Sequence, residues 1–107
     1  MKGRRRAARD DVMAHLAALR DGLSAKERAA YDQRVVAIRT MLELVEQRKK
    51  RRLSQQAIAE RMGVSQPVIA RLEKPLEPTW RQPSLSVLSR YAAALGLVLE
   101  VRLRPAA

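Results

Sequence analysis

Gln66, Val68, Ala70 and Arg71 lie within one short segment, and together they offer the chemistry of base-edge recognition. The Gln66 amide both donates and accepts, which suits adenine N6 and N7, and the Arg71 fork suits guanine O6 and N7. Val68, or Pro67 before it, can pack on a thymine methyl, and Ala70 shares the outward face. Candidates for phosphate surround them: Gln55 and Ser65 at two helix starts, Arg51 and Arg52 upstream, Lys74 and Arg81 downstream. Such contacts release counterions and supply much of the affinity for a nucleic acid. Each residue also has a plainer reading. Gln66 can be an exposed polar residue, Arg71 a phosphate or salt-bridge partner, Gln55 a solvated side chain, and Ser65 a helix cap. The run Arg48-Lys49-Lys50-Arg51-Arg52 equally suits the negative end of a helix dipole. Trp80 either closes a core edge with its N–H satisfied or directs that N–H at phosphate, flanked by Lys74 and Arg81.

These side chains need two short helices to hold them. From Gln55 to Leu72 the sequence predicts an amphipathic pair hinged at Gly63, where the chain must turn sharply and a Cβ is penalised. Ala59 is small where the helices pass. Val64, Ile69 and Leu72 face inward, and Ser65, Gln66, Ala70 and Arg71 face out. That layout is a helix-turn-helix, whose second helix lies in the major groove. Ser54 and Ser65 are the expected caps, and Pro67 falls in a first turn, where its missing N–H is tolerated.

The flanking elements follow from period and punctuation. Met1 to Arg6 reads as a mobile basic tail. Asp10 or Asp11 is the expected cap of a helix carrying Val12, Leu16 and Leu19, ended by Asp21-Gly22. Ser24 and Glu27 form a capping box. One long helix, or two nearly collinear ones, runs from Ala25 to about Lys50 with an apolar stripe of Val35, Ile38, Leu42 and Val45. Three prolines make residues 75–83 a loop, and Ser84 caps a further helix ended by Gly96. Leu97, Leu99, Val101 and Leu103 alternate with other residues, so a single strand is expected there. A lone strand needs a partner: the same strand of a second copy about a two-fold axis, or an extended piece of this chain. The expected organisation is a basic tail and helical arm (1–34), a helix-turn-helix domain (35–96) and a strand with tail (97–107), in a predominantly all-α class.

The bulk properties agree with a polyanionic partner. The chain has 107 residues, with 22 Lys and Arg against 11 Asp and Glu, a net charge of +11. That length is one small domain with an arm, and that charge beside a helix-turn-helix favours nucleic acid over a merely solvated surface. Cysteine is absent, so no disulfide framework or cysteine-based zinc site exists. No apolar run approaches the ~20 residues that span a bilayer, and the basic start lacks the apolar core of a secretory signal. The expected location is cytoplasmic. His15 is the single histidine, the serines lie at helix caps, and no phosphate-cradling glycine loop or clustered metal pattern occurs, so neither enzyme activity nor a cofactor is expected. Aromatic residues are 3% with no phenylalanine, which argues against single-strand RNA stacking platforms.

The segment resembles the phage-repressor-like (Xre) family, which has Gln at the first position (Gln55), Ala at the fifth (Ala59) and Gly at the ninth (Gly63), followed here by Glu73. The likeness covers roughly Ile38 to Leu95. It implies that Arg48, late in the preceding helix, pairs with Glu73 at the end of the recognition helix. The proline-rich insertion and terminal strand depart from the common pattern. With Ala94-Leu95-Gly96-Leu97 running into Leu99-Glu100-Val101-Arg102, the end looks like Xre-type antitoxins, HigA-like ones in particular. That likeness implies a homodimer on an inverted-repeat operator in double-stranded DNA, and a RelE-like ribonuclease toxin as partner. Residues 1–34 match no motif; in antitoxins such an arm can wrap a toxin. The expectation is a sequence-specific repressor autoregulating a type II toxin–antitoxin operon. The alternatives are a stand-alone regulator, or an RNA-binding or adaptor protein of the same fold.

Overall fold

The structure, a computed structural model, describes residues 2–105, with side chains from residue 8 onward. It contains α1 (Lys2–Arg20), α2 (Ala25–Lys50), α3 (Gln55–Met62), α4 (Gln66–Leu72) and α5 (Leu85–Ala94), and no strand among the described residues. Serine caps open three of these helices. Ser24 Oγ accepts from the Glu27 N–H (3.2 Å) while the Glu27 carboxylate accepts from the Ser24 N–H (2.9 Å), the full reciprocal box. Ser54 and Ser84 accept from the N–H groups of Ala57 (3.0 Å) and Val87 (3.2 Å).

Three helix ends share one geometry. At each, a residue with positive φ is followed by an N–H that reaches back five residues: Leu53 to Arg48 O (3.1 Å), Val64 to Ala59 O (3.0 Å) and Leu97 to Ala92 O (2.9 Å). The left-handed residues are Arg52 (φ 56°), Gly63 (φ 70°) and Gly96 (φ 77°). Glycine enters that region without penalty; an arginine does not.

The core sits where α2, α3, α4 and α5 meet. Met41, Ile58, Ile69 and Tyr91 have no exposed surface, and burying a side chain of this kind is worth about 1.5–3 kcal/mol. Ala59 is likewise fully buried, where a larger side chain would push α3 from its neighbours. The stripe on α2 is Ala37, Ile38, Met41 and Leu44, closed by the aliphatic stem of Arg48. Trp80 is buried and donates its indole N–H to Leu72 O (3.0 Å), while Arg34 lies 5.5 Å from its ring centroid. The loop tryptophan therefore closes the core.

The arm differs from expectation. α1 begins at Lys2, so the basic start is helical and Asp10 and Asp11 lie mid-helix, capping nothing. Apolar periodicity cannot detect a helical segment whose only apolar residues are Ala7 and Ala8, yet arginine and alanine are good helix formers. α1 folds back on α2 through cross-links. Arg20 grips Asp32 (2.6 and 3.0 Å), Arg9 meets Glu46 (2.6 Å), and the Tyr31 hydroxyl donates to Leu16 O. The expected boundary at 34/35 falls inside α2, a single helix there.

The terminal strand is also corrected. Residues 97–105 carry no strand, because no segment of the described chain lies alongside to complete a ladder. Alternate burial holds only from Leu97 to Glu100; Val101 and Leu103, expected on the same face as Leu97 and Leu99, are exposed. Leu97 and Leu99 pack against the core, while Val98, Val101 and Leu103 are 89%, 66% and 96% exposed.

Candidate nucleic-acid interface

α4 is held by its inner face and offers its outer one. Ile69 anchors it in the core, with Val64 and Leu72 half-buried against the same cluster. On the outside, Ser65, Pro67, Val68 and Arg71 are exposed and Ala70 is half-buried. Gln66 is half-buried because its amide N–H donates to the Gln55 carbonyl oxygen at 2.7 Å.

Behind Gln66 runs a continuous polar chain. Gln55 in turn donates to Glu73 Oε1 (3.1 Å). Arg48 clamps Glu73 with Nε to Oε2 (2.8 Å) and Nη2 to Oε1 (2.7 Å), and its Nη1 donates to Leu53 O (2.8 Å). The Tyr91 hydroxyl donates to Glu73 Oε2 (2.5 Å). Every Arg48 nitrogen thus has a partner, which is the condition under which a buried ion pair is tolerated. Burial pushes the Glu73 carboxyl up, but the Arg48 guanidinium, Tyr91 hydroxyl and Gln55 amide outweigh it and hold the group below the usual carboxylate range. The hydrogen bond to Glu73 raises Arg48 further, against its own burial. Tyr91 is pushed well above an ordinary phenol, by burial first, then by its hydrogen bond to Glu73 and the charge of that carboxylate. The carboxylate is therefore ionised at neutral pH and orients Gln55. Gln55 holds Gln66 through one N–H, and a glutamine amide has a carbonyl oxygen and a second N–H besides.

Ser65 departs from expectation. It occupies the cap position of α4, but its hydroxyl makes no cap bond. Pro67 has no N–H to give, and the Val68 N–H goes to Ser65 O (3.1 Å). The exposed hydroxyl keeps its capacity to donate. The cations divide into two groups. Arg71, Lys74 and Arg81 border one open cavity beside Val68. Arg51 and Arg52 are exposed at the turn into α3, with Arg51 donating to the Gln47 side chain.

Three positioning side chains escaped the sequence reading. Tyr91 could have been suspected, since a tyrosine on the inward face of α5 needs a partner for its hydroxyl. Arg61, which donates to Ala94 O (2.7 Å), and Arg90, which donates to Met62 O (2.6 Å), carry no sequence signal. Each reaches from one helix to the carbonyl end of the other, so α3 and α5 brace each other reciprocally.

The helix-turn-helix family model matches residues 44–78. Two curated relatives named antitoxin HigA1, from the CDC 1551/Oshkosh and H37Rv strains of Mycobacterium tuberculosis, are each 50% identical over 62 residues. The match covers 54% of this chain and 39% of each relative, so the chain spans well under half their length. No solved structure matches significantly.

Proposed function

We propose that this protein is a sequence-specific DNA-binding repressor that uses the helix-turn-helix matched over residues 44–78. Gln66, Arg71, Val68 and Ala70 read bases; Gln55, Ser65, Arg51, Arg52, Lys74 and Arg81 hold phosphates. The observation that carries this reading is the chain from Arg48 through Glu73 and Gln55 to Gln66, which presents one amide in a single orientation at the start of α4. A preoriented amide suits bidentate reading of adenine.

Repression of its own operon as the antitoxin of a type II pair is the finer part of the proposal. The likeness to the two HigA1 antitoxins supports it, and a RelE-like ribonuclease would be the toxin. A homodimer on an inverted repeat, with recognition helices one turn apart at about 34 Å, fits a short operator. Its contact is the tail around Leu97, Leu99, Val101 and Leu103. There Val98, Val101 and Leu103 are exposed, and main-chain groups beyond Leu97 enter no main-chain hydrogen bond among the described residues.

Footprinting on the promoter fragment, titrated over salt, tests the DNA reading. Gln66→Ala should lose about 1–3 kcal/mol of discrimination between the operator and a scrambled duplex. Arg51→Ala should weaken both alike and shallow the salt slope by about one phosphate. Unchanged operator preference in Gln66→Ala would remove that residue from the reading set. Co-expression with the product of the adjacent reading frame tests the antitoxin part; no association with a ribonuclease-like neighbour would leave a stand-alone regulator.

A further inference from the structure

Beside α4 lies an open cavity of about 700 Å³ that neither core packing nor helix capping explains. That volume falls within the ~300–1,000 Å³ of small-molecule sites. Apolar side chains in its lining include Val64, Val68, Val87 and Trp80. Its rim carries Arg71, Lys74, Arg81 and Arg90, against Glu77 as the single carboxylate among the lining residues. Arg90 is held by Met62 O, so at least one cation is positioned.

The two halves of this lining ask for different things. Phosphates of a duplex satisfy the rim but have nothing apolar to set against the walls. An uncharged apolar molecule fills the walls and leaves four cations unanswered. We propose that the cavity binds a small amphipathic anion, one carboxylate on an aliphatic or aromatic body, with the head at the rim and the body against Trp80. Three rim cations, Arg71, Lys74 and Arg81, are also those assigned to the duplex. Occupation therefore competes with DNA, a consequence that rests on the DNA reading above.

Trp80 is the sole tryptophan and lines the cavity, so its emission reports occupancy directly. The full chain, without DNA, is titrated with octanoate, and in parallel with octanol, inorganic phosphate and hexaglutamate. Octanoate should shift the emission saturably, with the other three at least about tenfold weaker, because only octanoate satisfies both rim and walls. Arg81→Ala, at an exposed site, should weaken octanoate about threefold or more and leave octanol unchanged. The absence of saturation, an equal response to octanol or phosphate, or an unaltered midpoint in Arg81→Ala overturns the site. A match by hexaglutamate overturns it in favour of an acidic peptide. In a second arm, octanoate is added to the labelled promoter duplex bound by the protein and should release it. Octanoate binding with the duplex retained overturns the competition. A duplex that never binds refutes the DNA reading while the Trp80 result still decides the cavity.

Discussion

Replacing Glu73 by glutamine keeps the side-chain shape and removes the charge at the centre of the polar chain. The wild-type carboxylate accepts four hydrogen bonds, two from Arg48 and one each from Tyr91 and Gln55. A glutamine has one acceptor oxygen, and its NH2 group must confront a donor. Arg48 and Glu73 side chains are 10% and 5% exposed, so water cannot replace what is lost. Hydrogen bonds to charged groups are worth about 1.5–3 kcal/mol each. Stranding one partner of a buried pair costs about 3–5 kcal/mol. We expect Glu73→Gln to lose about 3 kcal/mol, a large share of the roughly 5–15 kcal/mol that holds a domain together. Urea unfolding followed through Trp80 emission measures this, since the indole is bonded to Leu72 O, one residue away. Arg48→Met in the Glu73→Gln background should recover at least about 1 kcal/mol relative to additivity. A loss under about 1 kcal/mol in the single variant, or strictly additive effects, refutes the account of a desolvated, mutually dependent pair.

The other expectations concern caps and acid. Ser54→Ala should cost about 1 kcal/mol in urea midpoint analysis, whereas Ser65→Ala should leave stability unchanged, because only Ser54 makes a cap bond; equal losses would contradict the assignment. Arg52→Gly removes a left-handed penalty of about 1–2 kcal/mol, less about 0.4–1 kcal/mol for the freer unfolded chain. It should therefore raise the melting temperature by a few degrees while reducing the salt slope of DNA binding by about one phosphate. A lowered melting temperature would show that the Arg52 side chain is structural. Glu73 lies below its ordinary value when folded and returns to about 4.3 when unfolded. The folded state thus binds fewer protons, so its contribution is complete above that pH and disappears as pH falls through the lower folded value. Urea midpoints from neutral to acid pH should decline less steeply for Glu73→Gln than for wild type; identical profiles would assign acid sensitivity to other groups.

Local signals carried much of the architecture. Ser24 with Glu27, Ser54, Ser84, Gly63 and Gly96 mark helix ends because their chemistry is confined to a few neighbouring residues. The pairing of Arg48 with Glu73 was legible only through family likeness, since 25 positions separate them. Longer-range partners left no trace: nothing in the spacing of Arg61 or Arg90 says which carbonyl it will meet. The start of α1 escapes a periodicity reading because Ala7 and Ala8 are the only apolar residues before Val12 in the helix. The tail shows the reverse error: the sequence alternates, but only Leu97 and Leu99 are drawn inward, and the ladder the pattern suggested has no partner among the described residues. Ser65 holds the cap position without the cap bond, because the N–H three residues on, that of Val68, goes to Ser65 O instead of the hydroxyl.

α2 is 26 residues without an internal glycine or proline, about 39 Å of unbroken rod at 1.5 Å per residue. α1 is bonded along it from Asp32 to Glu46, and its last turns carry Arg48. No joint separates the two ends, so a force or a bound protein that tilts the hairpin also tilts the guanidinium gripping Glu73, and through Gln55 the amide at the tip of α4. A displacement of the arm and a reorientation of the Gln66 amide are in this chain mechanically one movement.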